Sequence, residues 1–329
     1  MKLSILDQVP ISNGKTAKEA LEATIELAQF ADKLGFKRYW IAEHHGFKGL
    51  ASPAPDILLG IIGSKTKQIR IGSGAVLLPN YQAYNIAERY NLLASLYPGR
   101  VDVGLGRAPG GSAEASIALV DNFLEQVRKY PEKVDDLLRF FHNDFSEEHI
   151  FSKVQPTPVP KEKPVPWLLG TSVKSAVLAL EKGLPYVFGH FMSDEDGPSI
   201  IKGYFDNFQG EKPLAMVTVS VICAETTEEA EELALSNQVW KLMQDQGLGN
   251  GFVPSIGETK EYEFTAEDLD SLRKSNHRQI IGNPAEVRIA LEKLSEIYET
   301  NEFMIITITH DYEARKRSYE LIAKEFQLS

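Results

Sequence analysis

Glu43, His44 and His45 stand consecutively in "YWIAEHHGFKGLASPAP" (39–55), where an apolar run gives way to a glycine-containing turn. A carboxylate beside two imidazoles invites metal ligation or proton transfer. Successive residues of a strand point to opposite faces, so His44 turns away from Glu43 and His45, and the three cannot easily converge on one ion. The sequence holds neither a His-Glu-x-x-His motif nor a Cys/His cluster, and no metal is expected. An imidazole titrates near neutral pH, and His44 shares its face with Ala42, whose small side chain leaves room for a ligand. His44 is therefore the candidate acid or base. The plainer reading is a histidine hydrogen-bonded structurally at a strand end. His45 reads as scaffold.

Two further stretches could hold an anion. In "RVDVGLGRAPGG" (100–111) a strand runs into glycines, but the dinucleotide fingerprint G-x-G-x-x-G fails because Pro109 stands where its third glycine belongs. What remains is a flexible turn with one cation, Arg107, suited to a phosphate or to a salt bridge on the rim. In "LLGTSVKSA" (168–176), Gly170 ends a strand, and Thr171, Ser172 and Ser175 straddle a helix start. Amides and hydroxyls there make an anion site, although simple N-capping needs only one of them. Arg107 with Ser172 and Ser175 would together hold a phosphomonoester. In "IGSGAVLLP" (71–79), Gly74 and Ala75 permit close approach by a flat ligand, or merely tight packing.

These stretches share a position, just after an apolar run. Eight such runs read as strands: 3–7, 38–43, 70–78, 100–106, 166–170, 185–191, 215–224 and 303–309. Helical segments lie between them. Their starts are marked by Thr16 with Glu19, Thr226 with Glu229, Asn283 with Glu286, and Ser52 before Pro53. Gly35 is placed to end the first helix. Eight strongly apolar strands alternating with helices predict an α/β fold of the (β/α)8 TIM-barrel class rather than an open doubly wound sheet. Chemistry in such barrels gathers at the C-terminal strand ends. Residues 1–329 read as a single barrel domain. Two stretches break its rhythm: a proline-rich arm at 151–167, and a segment at 244–276 after the seventh strand and its helix, expected to form a mobile lid.

The totals narrow the function classes. Lys and Arg number 35 against 46 Asp and Glu, a net charge of −11, which disfavours binding to nucleic acid or an anionic membrane surface. No apolar run approaches the ~20 residues of a membrane span, and the N-terminus lacks the features of a signal peptide. A single cysteine, Cys223, excludes an intrachain disulfide and reads as a buried small hydrophobe. A cytoplasmic protein is the expectation.

The combination of "AEHHGFKGLASP", "GSGAVLLP", "LYPGRVDVGLGRAPGG", "LLGTS" and "THDYEARKRSYELIAKEF" resembles the bacterial luciferase-like family of flavin-dependent monooxygenases across nearly the whole chain. The resemblance implies an eight-stranded barrel, usually dimeric, that uses reduced FMN delivered by a separate flavin reductase. Reaction with molecular oxygen would give a flavin hydroperoxide that oxidises a small organic substrate. It further implies that His44 is the active-site histidine, that Arg107, Ser172 and Ser175 hold the FMN phosphate beside Thr171, and that a non-proline cis peptide joins Gly74 to Ala75 against the flavin ring. The chain departs from the luciferase catalytic chain at Thr171, where that chain has a carboxylate, and at Gly106, where it has a cysteine. Two alternatives stand beside this reading: a deazaflavin-dependent hydride-transfer enzyme on the same barrel, and a non-catalytic flavin-binding partner subunit.

Overall fold

The computed structural model describes residues 1–328. Its strands are β1 (Lys2–Asp7), β2 (Arg38–Ile41), β3 (Arg70–Leu77), β4 (Val101–Gly106), β5 (Val165–Gly170), β6 (Tyr186–Gly189), β7 (Ala215–Cys223), β8 (Gln279–Gly282) and β9 (Glu302–Ile306). All pairings between them are parallel, and β1 to β7 with β9 close into a ring of eight, β7 pairing both β6 and β9. This is the expected (β/α)8 barrel. Every residue of β4 and of β7 is buried, as strands covered on both faces must be.

β8 is absent from the sequence reading. It pairs only with the C-terminal half of β7, outside the ring, and four residues after the polar run "SNHR" carry too weak a pattern to register. Several boundaries also shift. β2 ends at Ile41, so Glu43 to His45 lie beyond the ladder. The helix expected at Ser52-Pro53 starts at Pro55 with Ala54 as N-cap, because the Ser52 hydroxyl instead donates to the Ala42 carbonyl (2.8 Å). The capping boxes at Thr16 and Asn283 form as expected, Thr226 caps its helix only by accepting from the Glu229 amide, and Gly35 adopts φ +84° just past the first helix. The 151–167 arm begins with a short 3-10 turn, Ile150–Lys153, and contains a cis Thr157–Pro158 bond.

Two apolar cores hold the barrel. The larger lies between the ring and its helices, whereas a smaller one fills the lumen around Leu6, Trp40, Trp167, Met216 and Met304, with Trp40 and Trp167 edge to face at 5.6 Å. At the N-terminal strand ends the lumen is closed by charge: Asp102 meets Arg70 (2.6 Å) and Arg38 (3.3 Å), and Glu302 meets Arg38 (3.3 Å) and Lys2 (2.7 Å). Trp40 Nε1 also donates to Asp102 (3.1 Å). The opposite, C-terminal end remains for function.

Segment 244–276 is more ordered than a loop. The helix Thr227–Asp245 leads into it, and it carries the helices Ile256–Glu261 and Ala266–Ser275 before β8. Its beginning is pinned to the barrel: Val253 exchanges backbone hydrogen bonds with Ile11 (3.0 Å) and Asn13 (2.8 Å), and Trp240 Nε1 donates to the Gly251 carbonyl (2.9 Å). Chain 49–51 is equally close, since a Cβ on Gly49 would stand 1.8 Å from the Gly251 oxygen.

Candidate active site

Beyond β2 the side chains separate as strand alternation predicts. Glu43 is buried; its Oε1 lies 2.7 Å from His45 Nε2 and accepts from the Tyr81 hydroxyl (2.9 Å), while Oε2 accepts from the Leu77 amide (3.1 Å). His45 is further fixed by its amide, which donates to the Gly110 carbonyl (2.7 Å). Glu43 and His45 thus tie the ends of β2 and β3 to the loop after β4. His44 points the other way. Its amide donates to the Ser52 carbonyl (3.0 Å), its ring meets Phe47 edge to face at 6.0 Å, and its Nδ1 is buried with no partner. Burial, reinforced by the nearby His45, pulls its pKa from 6.5 down to about 4, so the ring is neutral at pH 7.

His44 lines a cavity of about 160 Å³ in the barrel mouth. Phe47 and Leu50 join it from the same loop, Gln8 from the end of β1, Ile306 and Ile308 from the end of β9, and Phe191 from the turn after β6. The remaining wall is helix Thr227–Asp245, which contributes Asn237, Trp240, Lys241 and Gln244, with Ser220 of β7 beneath it. Those four recur at i, i+3, i+4 and i+7, one face of a helix. That spacing was legible in the sequence, but no pattern told which face of the helix looked into the mouth.

The anion candidates gather at neighbouring strand ends and not in this cavity. Gly74–Ala75 is a cis peptide, at the point where the β3–β4 register shifts between Ser73 and Val76. A Cβ on Gly104 would lie 2.2 Å from the Ser73 oxygen, and one on Gly106 would lie 2.9 Å from Ala75 Cβ, so both glycines let β4 close on this bond. Arg107 follows immediately. It is exposed and makes no hydrogen bond or ion pair among the described residues, so the salt-bridge alternative is not what the fold uses. The Tyr130 hydroxyl, buried without a partner, lies near enough for the Arg107 charge to oppose the upward push of burial on its pKa.

One strand on, β5 ends at Gly170 beside the end of β4. Ser172 N-caps helix Val173–Glu181, and Ser175 closes a reciprocal box with it, its hydroxyl also 2.9 Å from that of Tyr186. The capping alternative is therefore realised for both serines. Thr171 is half-buried between them and β6, its carbonyl accepting from Ser193 (3.3 Å). No hydrogen bond among the described residues joins Arg107 to either serine. An unpaired guanidinium and a helix start on adjacent strand ends, with the orphaned Tyr130 hydroxyl from the helix Tyr130–His142, fit a phosphate; the glycines against the cis peptide fit a flat ring.

Residues 1–300 match the family described as luciferase-like monooxygenase. The chain belongs to that family. It is 41% identical to the uncharacterized protein YceB of Bacillus subtilis (strain 168), over 98% of this chain and 99% of the relative. Against the N-acetyl-S-alkylcysteine monooxygenase of the same organism the identity is 34%, over 98% and 97%. The oxygenase component of a flavin-dependent trigonelline monooxygenase from Acinetobacter baylyi (strain ATCC 33305 / BD413 / ADP1) is 24% identical over 96% and 91%. Among solved structures, apo-MsnO8 superposes with a TM-score of 0.89 at 31% identity, covering 100% of this chain and 99% of the other. The luciferase-like family, with flavin-dependent monooxygenases among its members, makes this chain an oxidoreductase of the monooxygenase type.

Proposed function

We propose that the protein is the oxygenase of a two-component system: it takes reduced FMN from a separate flavin reductase and uses molecular oxygen to oxidise a small organic substrate. The observation that carries this reading is His44, a neutral imidazole with a buried, unpartnered Nδ1 on the wall of a cavity in the barrel mouth. When bound, reduced FMN supplies the electrons with which oxygen is activated. Arg107, with Tyr130 and the Ser172–Ser175 helix start, would hold its phosphate, and Gly74–Ala75 would back its ring. His44 takes or holds a proton at the reacting end of the substrate. The apolar wall of Ile306, Ile308 and Phe191 keeps water from the reaction, and segment 244–276 serves as the lid that completes it. The relative named as an oxygenase component supports the separate reductase.

We also propose a homodimer. Ile57 and Ile61 lie exposed on helix Pro55–Lys65, and Leu92 and Leu96 on the adjoining helix Ala83–Leu96, an apolar face that a second copy would cover. Light scattering should return twice the mass of one chain; a monomer refutes the pairing.

The reaction is tested with purified protein, a flavin reductase, FMN, NADH and ¹⁸O₂ over a panel of small organic substrates. One ¹⁸O atom per product molecule, lost in His44→Ala while reduced-FMN affinity stays nearly intact, is the expected result. Turnover by His44→Ala equal to wild type contradicts the role given to His44. Oxidation without ¹⁸O in the product contradicts the monooxygenase reading.

A further inference from the structure

The cavity in the mouth is apolar on one side and charged on the other. Lys241 stands on its wall and makes no hydrogen bond or ion pair among the described residues, although Asp245 lies one helical turn further along. Burial pushes the Lys241 ammonium below the ordinary lysine value, the Arg278 charge adds to this, and Asp245 opposes it only in part. Beside Lys241, Asn237 is 1% exposed, and its Oδ1 is buried without a partner. Ser220, 3% exposed, lines the same wall from β7. The Lys241 ammonium and the Ser220 hydroxyl line the cavity with no hydrogen bond among the described residues, and the Asn237 amide oxygen is buried beside them without a partner, so this wall offers polar groups for a bound molecule to meet.

We infer that this cavity is the site of the organic substrate and that the substrate is a small carboxylate, its charged head held by Lys241 with Asn237 and Ser220. The amide nitrogen of Asn237 donates alongside the ammonium, as does the Ser220 hydroxyl. The apolar body lies against Ile306, Ile308 and Phe191, and the end remote from the charge reaches His44. At about 160 Å³ the space suits a molecule near the size of benzene, for which roughly 150 Å³ suffices. The anionic head would reverse the depression of the Lys241 pKa, so recognition and relief of an unfavourable burial are one event. The inference rests on the oxygenase reading, which assigns the phosphate of the cofactor elsewhere, to Arg107.

Benzoate and its neutral analogue benzyl alcohol serve as probes, titrated into the purified full-length protein without flavin and followed by calorimetry or ligand-observed NMR. Wild type is expected to prefer benzoate by about tenfold or more, the worth of a charge-assisted hydrogen bond. Lys241→Gln should erase that preference and leave benzyl alcohol affinity within about twofold, which also shows that the cavity is intact. Lys241→Arg should keep it. Equal affinity for the two probes in wild type, a preference that survives Lys241→Gln, or failure of both probes to bind each overturns the inference. Reduced FMN is titrated into the same variants. If Lys241→Gln weakens FMN by tenfold while riboflavin is unaffected, Lys241 serves the cofactor phosphate and the substrate assignment falls. If wild type does not bind reduced FMN at all, the oxygenase reading fails, independently of the benzoate result.

Discussion

His44 is held neutral by its surroundings, and that state is itself testable. Its pKa is pulled from 6.5 to about 4 by burial first and by His45 second. Between these values the unfolded chain binds a proton that the folded chain does not. The stability contributed by His44 is therefore complete above pH 6.5 and drains away as pH falls toward 4. NMR titration of histidine-labelled protein should give one imidazole with a midpoint near 4 that disappears in His44→Ala. A midpoint near 6.5 for that resonance would show the ring to be freely solvated. Strand alternation sufficed to separate His44 from His45 in the sequence. It could not show that Glu43 is a hub joining His45 to Leu77 and Tyr81, because the latter two lie 34 and 38 residues away.

Among the elements, helix Thr227–Asp245 and the start of segment 244–276 carry the argument. The sequence announced a break in the barrel rhythm but not its form, since glycines at 247, 249 and 251 hide the helices that follow. The packing identifies Trp240 as the latch, through its bond to the Gly251 carbonyl and its place in the lumen cluster. Trp240→Phe keeps most of the apolar contact and removes that bond. It should cost about 1 kcal/mol in urea unfolding. Amide exchange of residues 249–253 should accelerate while that of β1 to β7 does not change. Exchange that rises uniformly along the chain would mean that the latch is no local closure but part of the global fold. The missed strand β8 belongs to the same lesson: it is specified by a single neighbour, β7, and a four-residue strand with one partner leaves little periodicity to read.

For the whole molecule, the (β/α)8 barrel was legible because eight apolar runs and their helix caps repeat one unit, whereas the buried charges that fasten it were not. Asp7, at the end of β1, pairs with Arg315 of helix Tyr312–Glu325 (2.7 Å) and accepts from Thr24 (2.8 Å) and Tyr39, joining the first helix to the last. Burial pushes the Asp7 carboxyl up, but Arg315, Tyr39 and the Val9 amide together outweigh it and hold it below 3.8. This contribution is present above pH 4 and is lost as the folded carboxyl protonates in stronger acid. Asp7→Asn leaves Arg315 buried and unpaired, and should lower unfolding free energy by about 3–5 kcal/mol in urea at pH 7. A change below ~1 kcal/mol would show that the pair contributes little beyond its own desolvation.

The central claim is that the exposed cation at the end of β4 recognises the phosphate of FMN. It is tested by anaerobic titration of reduced FMN and reduced riboflavin into wild type and Arg107→Ala. Loss of one charge-assisted contact should weaken FMN by about tenfold to a hundredfold while riboflavin affinity stays within about twofold. Equal weakening of both flavins, or tighter binding of a reduced deazaflavin than of reduced FMN by the wild-type protein, would contradict it.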